Sequence, residues 1–91
     1  MQLQWTSKAV SDLARLYDFL ASVNKPAAVK VVRSLTQGAI LLQDNPRLGE
    51  QLLQFEPRDV RHIHIGRYEL RYEIHESVII ILRLWHTREN R

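Results

Sequence analysis

The 91-residue sequence contains no cysteine, three glycines and three prolines. The missing cysteine excludes disulfide scaffolds, thiolate zinc sites and cysteine nucleophiles together, and is consistent with a reducing compartment. No apolar run approaches the ~20 residues that a membrane helix needs. Met1 leads straight into a strand-like pattern rather than a signal-peptide layout, so a cytoplasmic location and no membrane partner are expected. No glycine-rich loop stands before a helical segment and no serine sits in a nucleophile-elbow context, which leaves no Walker, dinucleotide or serine-hydrolase motif. The length allows one domain, residues 1–91, burying about 60–65% of the surface of its unfolded chain. Function is therefore expected on a surface or in a shallow cleft.

What is present is distributed unevenly. The net charge of +3 is modest, with 45% hydrophobic and 25% charged residues. Residues 1–45 carry five basic side chains against three acidic ones, whereas from Pro46 onward there are eight arginines, seven acids and no lysine. All four histidines, His62, His64, His75 and His86, fall in that second half. Guanidinium is planar, weakly hydrated and bidentate, and so suits carboxylate and phosphate partners. The second half reads as a contact surface for something anionic, or as a solvated face on which arginines pair with Glu69, Glu73 and Glu76.

The hydrophobic period divides the chain in two. Thr6 or Ser7 supplies a helix cap, with Trp5 and Val10 in hydrophobic-staple positions. Ala9, Val10, Leu13, Leu16, Tyr17, Leu20 and Val23 then form one helical stripe. Asn24 is a left-handed stop and Pro26 opens a second helix, whose face is Ala28, Val31, Val32, Leu35, Ala39 and Leu42. Residues 45–59 hold Pro46, Gly49 and Pro57 among apolar side chains and read as a packed loop. Beyond them the period becomes two, through hairpin turns at Gly66-Arg67 and His75-Glu76-Ser77. Val78 to Leu82 is apolar at every position and so is covered on both faces. The expected fold is α+β, a two-helix hairpin on one face of a small, mainly antiparallel four-stranded sheet in the order β-α-α-β-β-β. The N-terminal strand pairs on the far side of the last one. Strict alternation along that last strand puts Ile79, Ile81 and Trp85 on the uncovered face, as an apolar strip for a partner or a bed for the long loop.

Candidate chemistry centres on arginine and histidine. His62-x-His64 points both imidazoles to one face of a strand, with Glu69, Glu73 or His75 as further donors in principle. Two ligands make no site, so no metal and no cofactor are expected. Arg61 shares parity with Ile63 and Ile65, and its guanidinium must snorkel out or sit in a polar cleft at the sheet edge. Arg71 and Arg83 lie on neighbouring strands and His86 closes the last one. Converging arginines with a histidine serve RNA cleavage by 2′-hydroxyl attack, and equally the binding of a phosphate backbone or an acidic partner.

Trp5 with Ala9, Asp12 and Leu13, the Pro46-x-x-Gly49 element, the stretch from Arg61 to Ile74 and the close from Ile81 to Arg88 together resemble the RelE/ParE superfamily of bacterial toxins from type II toxin–antitoxin modules. The resemblance covers nearly the whole chain and is most specific in the Gly-x-Tyr-x-x-Arg-Tyr strand and the Ile-Leu-Arg-x-x-His close. It implies a cognate antitoxin, a toxin–antitoxin hetero-oligomer, and one of two activities. RelE-like members cut mRNA on the ribosome, with basic residues on the sheet and a C-terminal Tyr or His; Arg61, Arg71, Arg83 and His86 occupy positions compatible with that arrangement, though none is a firm catalytic assignment. ParE-like members lack that set and poison DNA gyrase. Gln51 and Gln54 stand in the loop before the sheet where the nucleases have lysine, no tyrosine follows His86, and Glu69 and Glu73 oppose an RNA backbone. The ParE-like reading is favoured, with Ile79, Ile81, Arg83, Trp85 and Arg88 as partner contacts. A non-toxic adaptor of the same fold is the third alternative.

Overall fold

The Thr6 hydroxyl both starts the first helix and ties it to the sheet. In the computed structural model, which describes residues 1–89, Thr6 Oγ1 accepts a hydrogen bond from the Ala9 N–H and donates one to the Leu82 carbonyl, each 3.0 Å long. The first bond satisfies an N–H that a helix start leaves unpaired. Helix α1 spans Ser7–Ala21 and buries Ala9, Asp12 and Leu16. Val10 is 53% exposed, outside the core, and Val23, past the helix end, is 85% exposed. Asn24 is not a left-handed stop: its φ of −154° is extended, and its side chain caps the next helix by accepting from the Ala27 N–H. Helix α2, Lys25–Leu41, carries Pro26 in its first turn and buries Ala28, Leu35 and Ala39.

Three strands form the expected antiparallel meander: β3 (Asp59–Ile65), β4 (Tyr68–His75) and β5 (Val78–His86). Strand β1 (Gln2–Trp5) adds parallel to the far side of β5. A fifth strand, β2 (Glu50–Gln51), comes out of the packed loop and pairs with Arg61 and His62, giving the order β1-β5-β4-β3-β2. Two residues carry no alternation to read. What fixes them is Tyr72, wholly buried on β4, whose hydroxyl accepts from the Gly49 N–H at 2.9 Å and donates to the Pro46 carbonyl at 2.7 Å. A Cβ on Gly49 would stand 2.6 Å from the His62 carbonyl and 2.8 Å from that hydroxyl, so only glycine lets the loop approach. Tyr72→Phe leaves a buried N–H unpaired and is expected to cost about 2 kcal/mol in urea unfolding; an unchanged midpoint would show that the loop is held by other contacts.

A β-bulge decides which residues of β5 enter the core. Arg71 pairs with Arg83 but Tyr72 pairs with Ile81, so Leu82 is an extra residue and the parity of β5 flips there. Ile79, Ile81 and Leu84 consequently all join Leu16, Leu35, Leu70 and Tyr72 in the cluster beneath the helices. The expected strip of Ile79, Ile81 and Trp85 on the uncovered face does not form. Ile79 and Ile81 are 0% exposed, and only Trp85 lies on the other face, paired with Glu69. Strict alternation misassigned the two isoleucines because it carried the parity of Trp85 back through the bulge.

Candidate functional site: the sheet face and its C-terminal edge

Parity across the strands places His62 and His64 of β3, Glu69, Arg71 and Glu73 of β4, and Arg83 and Trp85 of β5 away from the core. The long loop covers part of this face with a single turn of 3-10 helix, Leu53–Phe55, and the residues after it. The Arg71 guanidinium lies between two rings, 5.2 Å from the Phe55 centroid and 4.7 Å from that of Trp85. Arg83 stands 5.3 Å from the same indole, so the two arginines do meet, across Trp85. Each such stack contributes about 0.5–2 kcal/mol and leaves Trp85 only 7% exposed. Arg58 donates two hydrogen bonds to the Glu73 carboxylate, which hold it below the ordinary carboxylate range.

Arg83 has a second engagement, around the sheet edge. Its Nε donates to Asp12 Oδ2 at 2.7 Å and its Nη2 to Oδ1 at 3.2 Å, while the Leu84 N–H donates to Oδ2 at 3.0 Å. Burial pushes the Asp12 carboxyl up, but the bonds from Arg83, Leu84 and Arg15 together outweigh it and hold the group below its usual value. Arg61 occupies the polar-cleft alternative, on the helix side beside β2, where it donates to Asp59 and to the Gly49 carbonyl, both at 2.9 Å.

His86 lies at the far end of β5, edge-to-face with Tyr68 at 5.2 Å. Its Nδ1 accepts from the Arg88 N–H at 3.1 Å, and the His86 backbone N–H donates to Glu89 Oε1 at 2.9 Å. Together with Arg15, Phe19 and Leu20 of α1 these residues line an open groove of about 560 Å³. Arg88 is exposed there, and Phe19 is 72% exposed. Among the described residues, no helix is long and apolar enough to cross a membrane.

Residues 3–91 match the family described as the ParE toxin of the type II toxin–antitoxin system parDE. The chain belongs to the ParE toxin family. Two solved structures agree in fold. The chromosomal ParDE toxin–antitoxin system of P. aeruginosa includes a chain 27% identical with a TM-score of 0.79, covering 94% of this chain and 95% of its own. The toxin–antitoxin complex RelBE2 of Mycobacterium tuberculosis includes one 25% identical with a TM-score of 0.70, covering 93% of this chain and 95% of its own. No curated protein matches the chain in sequence.

In this ParE-type toxin the four residues matched to nuclease positions do not converge. Arg61 faces the helix side, Arg83 is bound to Asp12, Arg71 is enclosed by aromatic rings, and His86 lies three residues, roughly 10 Å, beyond Arg83 along the strand. Sequence reasoning did not assign a role to Asp12 or Phe55. Asp12 had a signal, an acid in phase with Ala9 and Leu16 on the buried stripe; Phe55 had none, since its position depends on the fold of the loop.

Proposed function

We propose that this ParE-type toxin arrests growth by poisoning DNA gyrase and that a cognate antitoxin neutralises it. The observation that carries the reading is the engagement of Arg61, Arg71 and Arg83 by Asp59, aromatic rings and Asp12 respectively. Cleavage of RNA by 2′-hydroxyl attack needs cations free to stabilise the developing phosphorane charge and a titratable group beside them. Here the cations are occupied and the histidine is distant. Glu73, paired with Arg58, and Glu69, buried beside Arg71, offset part of the positive charge of the same face and so weaken its attraction for an RNA backbone. The antitoxin reading is supported by the two similar structures being toxin–antitoxin systems. Of the sequence-assigned partner contacts, Arg88 and the groove beside His86 fit an apolar and acidic segment, while Ile79 and Ile81 lie beneath the helices.

Expression of the chain alone is expected to halt growth with accumulation of double-strand DNA breaks, co-expression of a cognate antitoxin to restore it, and His86→Ala to remain as toxic as the native sequence. Growth arrest with cleaved mRNA, intact chromosomes and loss of toxicity in His86→Ala would instead identify the RelE-like nuclease. Unimpeded growth at full expression would identify the adaptor.

A further inference from the structure

One side-chain cluster on the sheet face is left unused by the gyrase reading. His62 and His64 are two residues apart on β3 and project to the same side, and Glu69 stands opposite His64 on β4. Glu69 Oε2 is 3.3 Å from His62 Nδ1, and Oε1 is 3.9 Å from His64 Nε2. One donor atom from each residue lies within 4.8 Å of the other two. The site has a buried floor and an open rim, since the Glu69 side chain is 6% exposed, His62 21% and His64 55%. His62 Nδ1 is buried and makes no well-directed hydrogen bond despite the nearby carboxylate. A buried donor atom and a carboxylate at that separation, without a hydrogen bond joining them, leave a place that a cation fits.

We propose that His62, His64 and Glu69 form a binding site for a divalent transition metal of the zinc class, with a fourth position open to water or to a partner's side chain. Bonds of about 2.0–2.1 Å to a tetrahedral ion put donor atoms about 3.3–3.4 Å apart. The His62–Glu69 pair already has that spacing. The three donor atoms lie within 4.8 Å of one another, so the widest gap has to close by up to about 1.4 Å, and the His64 ring, being at the rim, can turn to do so. Two imidazoles and one carboxylate favour zinc, nickel or copper over magnesium and calcium, which prefer all-oxygen sites. Arg71 is the opposing charge: its Nη2 is 3.9 Å from Glu69 Oε2. Its stacking on Phe55 and Trp85 gives that guanidinium partners besides the carboxylate. Because the ligands come from both β3 and β4, bound metal also cross-links the hairpin and raises the melting temperature.

The test uses untagged protein, titrated with zinc against a chromogenic chelator and melted with and without the ion. One equivalent is expected to bind and raise the melting temperature. His64→Ala, at an exposed position that preserves the fold, and Glu69→Gln are each expected to weaken binding by at least about tenfold, and His75→Ala to leave it unchanged. Absence of saturable one-equivalent binding, or undiminished affinity in His64→Ala, would overturn the proposal and leave Glu69 as a polar clasp for the histidines and Arg71. Neither result bears on the gyrase assay, which reads a different property.

Discussion

Asp12→Ala is expected to destabilise the chain by about 3 kcal/mol, at the low end for breaking a buried ion pair because the Arg83 side chain is 37% exposed. For a domain of this size that loss lowers the melting temperature by about 15 °C. The carboxylate accepts from the Arg83 guanidinium and from the Leu84 N–H, and so joins α1 to the stretch of β5 just past the bulge. Removing it leaves a buried N–H and a guanidinium without their acceptor. The pH dependence follows from the direction of the shift. Asp12 in the folded chain titrates below its ordinary value of 3.8, so its contribution is fully present above the unfolded pKa and is lost as pH falls through the folded one. Urea unfolding of the native sequence and of Asp12→Ala is therefore expected to differ by the full amount near neutrality and by progressively less as pH falls below about 4. A difference that stayed constant down to pH 2 would mean that Asp12 acts by packing rather than by charge.

Ile81→Asp is expected to abolish folding. The side chain is wholly buried opposite Tyr72, between the helices and the sheet. Exchanging it for a carboxylate removes about 2–3 kcal/mol of apolar burial and adds the cost of an unpaired buried charge. The sum is comparable to the 5–15 kcal/mol of stability typical of a whole domain. Far-UV circular dichroism of the purified variant checks this. A folded Ile81→Asp would mean that the side chain faces solvent and that the parity flip at Leu82 is wrong. The same substitution cannot probe antitoxin docking, because it removes the fold that docking requires; Arg88, exposed beside the C-terminal groove, is the better probe.

The periodic parts of the fold were legible in the sequence. Ala28, Leu35 and Ala39 on one helix, and Leu70 and Tyr72 on one strand, announce their burial by spacing alone, and the all-apolar run Val78 to Leu82 pointed to a strand flanked on both sides, which β1 and β4 provide. Features that depend on one extra or one misplaced residue were not. The bulge at Leu82 is set where β1 gives way to α1 and Thr6 takes the Leu82 carbonyl, a contact between residues 76 positions apart. Strand β2 depends on the Tyr72 hydroxyl reaching Pro46 and Gly49. Of the arginines singled out in the sequence, Arg61 lies apart on the helix side, whereas Arg71 and Arg83 meet over the Trp85 indole. Their occupation by Phe55, Trp85 and Asp12 was hidden because each partner comes from a distant element. Alternation along β4 puts Glu69 on the outward face, yet it is buried there, against the two histidines that the β3–β4 register sets beside it.

The central claim is that the cations of this sheet serve structure and protein contact rather than RNA cleavage. Titrating the purified chain into DNA gyrase with relaxed plasmid and ATP, and in parallel into translating ribosomes carrying a defined mRNA, tests it most directly. The account predicts loss of supercoiling with accumulation of cleaved plasmid, and intact mRNA at the same protein concentration. Cleaved mRNA with gyrase undisturbed would contradict it.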